Sequence, residues 1–280
     1  MIMVTMGAVW DRTTEVLSGR AGMLAGIAVP ALFLPTIVRD AFVAYGTPGS
    51  ASFAAIGGLL SLVVVLISIW GQLALIAASS DPNTDRTAAI GIANNRFLPA
   101  IGVSIVMAVA ICATLIPLFA LVGFSGLDFT AMAAGKQPSM AGVNGGALAG
   151  AALFMMVWAV ALLFVGARLA IWQPVLVNER LGLRSIARAW RLTRGATWRI
   201  VGVLILFGIV LVVATLAAQS IVGIVFRLIL GADNIATARF LGTLAGSAVS
   251  TVFVVLAVVF TTQLYVALAA AKSSREPRPA

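Results

Sequence analysis

The chain of 280 residues contains no histidine, one cysteine, two tyrosines and only nine aspartates and glutamates. General acid–base catalysis and metal ligation draw on His or on clustered carboxylates, whereas the acids here are scattered and lie mostly in connecting segments. No nucleotide, metal or nucleophile motif takes their place. The sequence therefore predicts a protein that is not an enzyme and holds neither cofactor nor metal. Cys112, alone inside an apolar run, cannot form an internal disulfide. Charged residues make up 10% and apolar residues 61%, with a mean hydropathy of +1.11, against roughly 25% and 45–50% in soluble domains. A water-soluble surface cannot be built from this composition, and the chain reads as an all-α, multi-span membrane protein.

Six stretches supply the roughly 20 predominantly apolar residues that a span requires: 21–38, 51–78, 97–124, 147–165 with a continuation to 177, 200–226 and 241–271. Polar connections of ordinary turn chemistry separate them, among them Thr47-Pro48-Gly49, Ser80-Asp81-Pro82-Asn83, Gln137-Pro138 and Asp233-Asn234. The first run is not read as a cleaved signal peptide. Its lead-in is long, Asp11 and Glu15 balance Arg12 and Arg20, and no small-residue cleavage site follows.

A net charge of +9 and a pI near 11.4 would indicate nucleic acid in a soluble protein; here the basic residues are read against the bilayer, with no nucleic-acid partner. Sixteen of the eighteen are arginine, which with the abundant Ala and Gly points to a GC-rich bacterial genome. Six spans place fourteen of them on one side: Arg12, Arg20, Arg86, Arg96, Arg168, the run from Arg180 to Arg199, Lys272, Arg275 and Arg278. Arg39, Lys136, Arg227 and Arg239 fall on the other. By the positive-inside rule both termini are cytoplasmic in an inner membrane, with 272–280 a disordered cytoplasmic tail.

Asp11-Arg12-Thr13-Thr14 aligns with Asp85-Arg86-Thr87-Ala88, ahead of the first and third spans, and Ser185 to Gly202 matches more loosely ahead of the fifth. The expectation is three repeats, each a helix on the inner face followed by a transmembrane hairpin. The third lead-in, Asn178 to Arg199, says most. At about 100° per residue Arg180, Arg184, Arg188, Arg191, Arg194 and Arg199 share one arc, opposite Leu183, Ile186, Ala189, Trp190, Ala196 and Ile200. This predicts an amphipathic interfacial helix over 178–199 whose arginines meet anionic headgroups, at about 1 kcal/mol each. Trp190 and Trp198 suit the interface, and Gly195 marks a bend into the fifth span. A loop that only sets topology, or a seat for a membrane or cytoplasmic protein partner, is the competing reading.

Within the spans, Arg168 is placed near a membrane end, where it can snorkel. Gln72, Gln173, Gln219 and Gln263 either hydrogen-bond between helices or line a transport path. Gly242, Gly246 and Ser250 form a small-xxx-small stripe for close helix contact, within the chain or between protomers. Glu179, beside six arginines, reads as an ion-pair partner or a helix N-terminal acid rather than a base.

Arg168, Pro174, Glu179, Ser185, Ala189-Trp190-Arg191-Leu192, Gly195 and Trp198-Arg199, followed by a new span, resemble the signature region of the glycerophosphoryl diester phosphodiesterase membrane domain family. The likeness covers about thirty residues, with a six-span outline over the rest. In that family the domain often accompanies a soluble phosphodiesterase barrel whose His and acidic residues hydrolyse substrate, and this chain contains no such barrel. The resemblance thus implies the membrane module alone: a noncatalytic module that supports a partner or organises lipid at the cytoplasmic face. A small transporter or lipid-handling channel is the rival expectation.

Overall fold

The computed structural model describes residues 5–47, 49–126, 142–231 and 234–273. Pro48, Lys136, Gln137-Pro138, Asp233, Arg275 and Arg278, read above as turn, loop or tail positions, lie outside them, as do residues 274–280 of the tail. Every regular element among the described residues is helical, and six helical segments are long and apolar enough to cross a membrane: Met6–Tyr45, Ala51–Ser80, Arg86–Gly123, Gly145–Glu179, Thr197–Leu230 and Ile235–Ser273. The protein is an all-α, multi-pass membrane protein, and each segment contains one of the six runs expected from the sequence, the third to within one residue.

Helix α1 (Met6–Ala28) is capped by Thr5 and breaks its helical geometry at Arg20 (φ −128°, ψ 16°). A π-helical turn, Val29–Phe33, leads into α2 (Leu34–Tyr45). Pro30 and Pro35 each remove a backbone donor here, and a widened i→i+5 turn, Leu34 N–H to Val29 O, absorbs the misfit. Ser50 caps α3 (Ala51–Ser80). The Asp81–Thr84 turn follows, and Asp85 then caps α4 (Arg86–Thr114) through the Ala88 N–H at 2.7 Å. Pro117 sits in the first turn of α5 (Ile116–Gly123), where its missing donor costs nothing. Next come α6 (Gly145–Leu169), α7 (Trp172–Glu179), α8 (Arg184–Leu192), α9 (Thr197–Leu230) and α10 (Ile235–Ser273).

The chain divides into two compact units. In the first, residues up to Ile101 and from Ala167 onward, Leu24, Ile27, Leu73, Ile76, Ile171, Leu176 and Leu264 form a fully buried core. Its longest pairing is α9 against α10, made close by glycine: a Cβ on Gly242 would stand 2.7 Å from Gln219 O and 3.1 Å from Gly223 Cα, and one on Gly246 3.4 Å from Gln219 Cβ. Those two stripe positions therefore pack within the chain, while Ser250 faces a cavity. In the second unit, Gly102–Gly166, the Trp158 indole donates to Thr114 Oγ1 at 2.9 Å. The exposed large apolar side chains there, such as Val109, Phe119, Met156 and Val160, need lipid around them.

The first lead-in, Met6 to Gly19, is a helix of its own up to the break at Arg20, with Val9 and Thr13 buried. The second is not a separate helix. Arg86 begins α4 directly, with Ala89 and Ala93 buried.

Candidate functional site

The segment that carries most of the arginines gathers at one end of the first unit, where α3 ends, α4 begins, α7 ends and α9 begins. Helix ends leave carbonyls without partners, and here arginine supplies the donors. Arg20 reaches the carbonyls of Ala78, Asp81 (3.0 Å), Pro82 (2.8 Å) and Thr84 (2.5 Å), closing the C-terminus of α3. Arg86 donates to Gly26 O at 2.8 Å. The buried Gln263 amide donates to Ser79 O at 2.7 Å, and Asn178 donates to Ser80 Oγ at 3.2 Å.

The 178–199 stretch is not one amphipathic helix. It holds the end of α7, the short helix α8, Arg184–Leu192, and the start of α9, separated by turns. Arg180 ends α7 in the left-handed region (φ 57°), Gly182 (φ 53°) turns the chain into α8, and Gly195 (φ 96°) turns it out again. Three consecutive breaks of this kind stop a helix more firmly than the periodicity of the side chains can propagate it. The inward face of α8 is also rotated from the expected one. Ser185, Ala189 and Leu192 are buried, whereas Leu183 and Trp190, assigned to the apolar arc, are exposed.

Arg188 leaves the lipid-facing arc altogether. Its Nε lies 2.8 and 3.1 Å from the Glu179 carboxylate oxygens, and Tyr265 OH donates to the same carboxylate at 3.3 Å. The Arg168 guanidinium reaches the exposed Trp190, stacking 5.1 Å over its ring, and the Arg168 carbonyl accepts the Thr193 hydroxyl at 2.9 Å. Buried Pro174 offers its carbonyl to Asn178 at 2.8 Å. Arg168, Pro174, Glu179, Ser185, Leu192 and Gly195 thus lie within one short stretch of the first unit: Glu179 ties α7 to α8 through Arg188, Ser185 and Leu192 are buried on α8, and Gly195 makes the turn that follows it. Arg180, Arg184, Arg191, Arg194, Trp198 and Arg199 remain exposed around that clamp.

A second arrangement brings Gln72 and Gln219, two of the glutamines expected to bond between helices or line a path, together with residues that the sequence does not single out. Towards the other end of the same unit, helices α2, α3, α9 and α10 border a cavity of about 350 Å³. Each helix contributes polar residues four apart: Thr36 and Asp40, Ser68 and Gln72, Thr215 and Gln219, and Thr243, Ser247 and Thr251. Four-residue spacing puts such groups on one helix face, and that repeated spacing was the available signal. Asp40, nine-tenths buried, accepts from Arg39 at 2.8 Å and from Ser247 Oγ at 2.9 Å. Gln72 accepts from Gln173 at 3.3 Å. Among the spanning glutamines, then, Gln263 and the Gln72–Gln173 pair do bond across helices, and Gln72 and Gln219 also line this cavity.

Among the described residues no group of three or more His, Cys, Asp or Glu could hold a metal ion. No protein-family model, curated protein or solved structure matches the chain.

Proposed function

We propose that the chain is a noncatalytic module of a bacterial inner membrane, akin to the glycerophosphoryl diester phosphodiesterase membrane domain, whose arginine-rich end faces the cytoplasm. There it organises anionic lipid headgroups and offers a seat for a protein partner. The observation that carries this reading is the mixed surface around α8. Arg184, Arg191 and Arg194 are exposed beside exposed Leu183, Trp190 and Trp198. Water disfavours the apolar groups and hydrocarbon the charged ones, whereas the headgroup region accommodates both. The clamp from Glu179 to Arg188 keeps this surface in place without consuming those three arginines.

The test is retention of lipid by the purified chain. In nanodiscs of phosphatidylglycerol or phosphatidylcholine, native mass spectrometry should find phosphatidylglycerol preferentially retained. The triple change R184Q/R191Q/R194Q should remove about 3 kcal/mol of that preference at low salt, from about 1 kcal/mol per basic residue, and added salt should weaken it in the parent. Equal retention of both lipids at all salt concentrations would overturn the reading. Reporter fusions after residues 280 and 136 should give cytoplasmic and periplasmic signals respectively.

A second reading, a small transporter or lipid-handling channel, is favoured by the polar cavity between α2, α3, α9 and α10.

A further inference from the structure

The cavity bordered by Asp40 continues into a second one of about 530 Å³, which shares Asp40, Gln219 and Thr243 with it. The second cavity is lined by Gly46 and Ile235, at the end of α2 and the start of α10, so the combined space opens towards the end of the unit opposite α8. Inward it stops at Gln72. Beyond lie Leu73, Ala74, Leu75 and Ile76, all completely buried. Eleven of the fourteen residues around its inner part are polar or charged. Polar groups at this density in a spanning segment are costly unless they have partners.

The lining indicates what those partners are. Among the described residues, the charged groups lining the two cavities are two guanidiniums, Arg39 and Arg239, and one carboxylate, Asp40, so guanidinium outnumbers carboxylate there. Thr36, Thr243 and Thr251 each give their hydroxyl proton to a carbonyl four residues back (2.7, 3.0 and 2.8 Å), which leaves their oxygen lone pairs as acceptors. The Thr215 hydroxyl is buried and has no partner. Acceptors along the wall call for hydroxyl donors, and the surplus guanidinium calls for an anion.

From this we infer that the pocket binds a small polyhydroxylated anion, a sugar or polyol bearing a phosphate, entering from the end opposite α8. This deepens the second reading above, and occupancy is measured apart from transport: a ligand that binds but does not cross would sink the transporter reading alone. The source can be soluble or lipid-borne, since a headgroup presents the same chemistry.

The test uses the full chain in phosphatidylcholine nanodiscs, titrated calorimetrically with glucose 6-phosphate, glucose and inorganic phosphate. Saturable binding of glucose 6-phosphate, at least tenfold tighter than of either simpler probe and weakened tenfold or more by R39Q and by the pocket-filling S250F, supports the inference and a soluble source. Parallel native mass spectrometry with phosphatidylinositol covers the other source: its retention by the parent and loss in both variants supports a lipid-borne ligand. R184Q/R191Q/R194Q, remote from the pocket, controls for general charge loss and should bind glucose 6-phosphate like the parent. Failure of both glucose 6-phosphate and phosphatidylinositol to bind the folded parent overturns the inference, and so does binding that R39Q and S250F leave unchanged. Glucose or phosphate alone binding as tightly as glucose 6-phosphate overturns it too.

Discussion

Arg188 Nε lies 2.8 and 3.1 Å from the carboxylate oxygens of Glu179, nine residues earlier, across the turn that separates α7 from α8. About a quarter of each side chain is exposed (26% and 22%), so water screens the pair only in part. Because Tyr265 of α10 donates to the same carboxylate, one acid anchors the basic surface to two neighbours.

Glu179→Gln removes the charge but keeps the shape. Arg188 is then left half-buried without its counter-ion, and the folded state should lose about 1–2 kcal/mol, below the range for a fully buried pair because of the residual exposure. A lower melting temperature in detergent would register this, and adding Arg188→Gln should restore part of it. If E179Q melts with the parent, the pair is not holding α8.

Arg20 offers a sharper contrast. One guanidinium serves four carbonyls at the C-terminus of α3 and in the following turn, a position where the helix dipole also favours a cation. Arg20→Ala should cost about 2–4 kcal/mol, since hydrogen bonds to charged groups are among the stronger ones. Arg12, whose partner Glu15 is as exposed as itself, should tolerate alanine within about 0.5 kcal/mol. Equal losses from the two substitutions, read by chemical denaturation in micelles, would refute this account of the α3 terminus.

The contrast also marks what could be read from the sequence. Arg12 and Arg20 look alike in a charge count, and both belong to the basic side. Only the fold brings α3's carbonyls to Arg20. The six spans were legible because length and hydropathy are properties of contiguous residues, and the Asp81–Asn83 turn because its chemistry is local. Glu179 was recognisable as an ion-pair partner, but its choice of Arg188 over five other arginines depends on the turn at Arg180 and Gly182. The same turn, with Gly195, ended the helix that side-chain periodicity had extended from 178 to 199. The Asp40 cavity was harder still. Each wall supplies two or three small polar residues, unremarkable in one helix, and their meaning arises when four helices face one another.

Gly242 and Gly246 allow the closest backbone approach between helices to be tested directly. A Cβ at Gly242 would meet Gln219 O at 2.7 Å and the Gly223 backbone at 3.1–3.2 Å, and neither is the end of a flexible side chain that could swing aside. At Gly246 the nearest atoms, Gln219 Cβ and Thr215 Cγ2, stand 3.4 and 3.5 Å away. Gly242→Val must therefore push α9 from α10, at a cost of about 1–3 kcal/mol for overpacking, while Gly246→Ala should cost under about 1 kcal/mol. Backbone atoms on both sides make the first change hard to relax, and the second needs a shift of only tenths of an ångström. Melting temperatures of the two variants in one detergent should separate in that order. Size-exclusion chromatography supplies the other arm. If Gly242→Val changed the oligomeric state and left the melting temperature of the monomer alone, the stripe would be a contact between protomers and the α9–α10 packing would not depend on it.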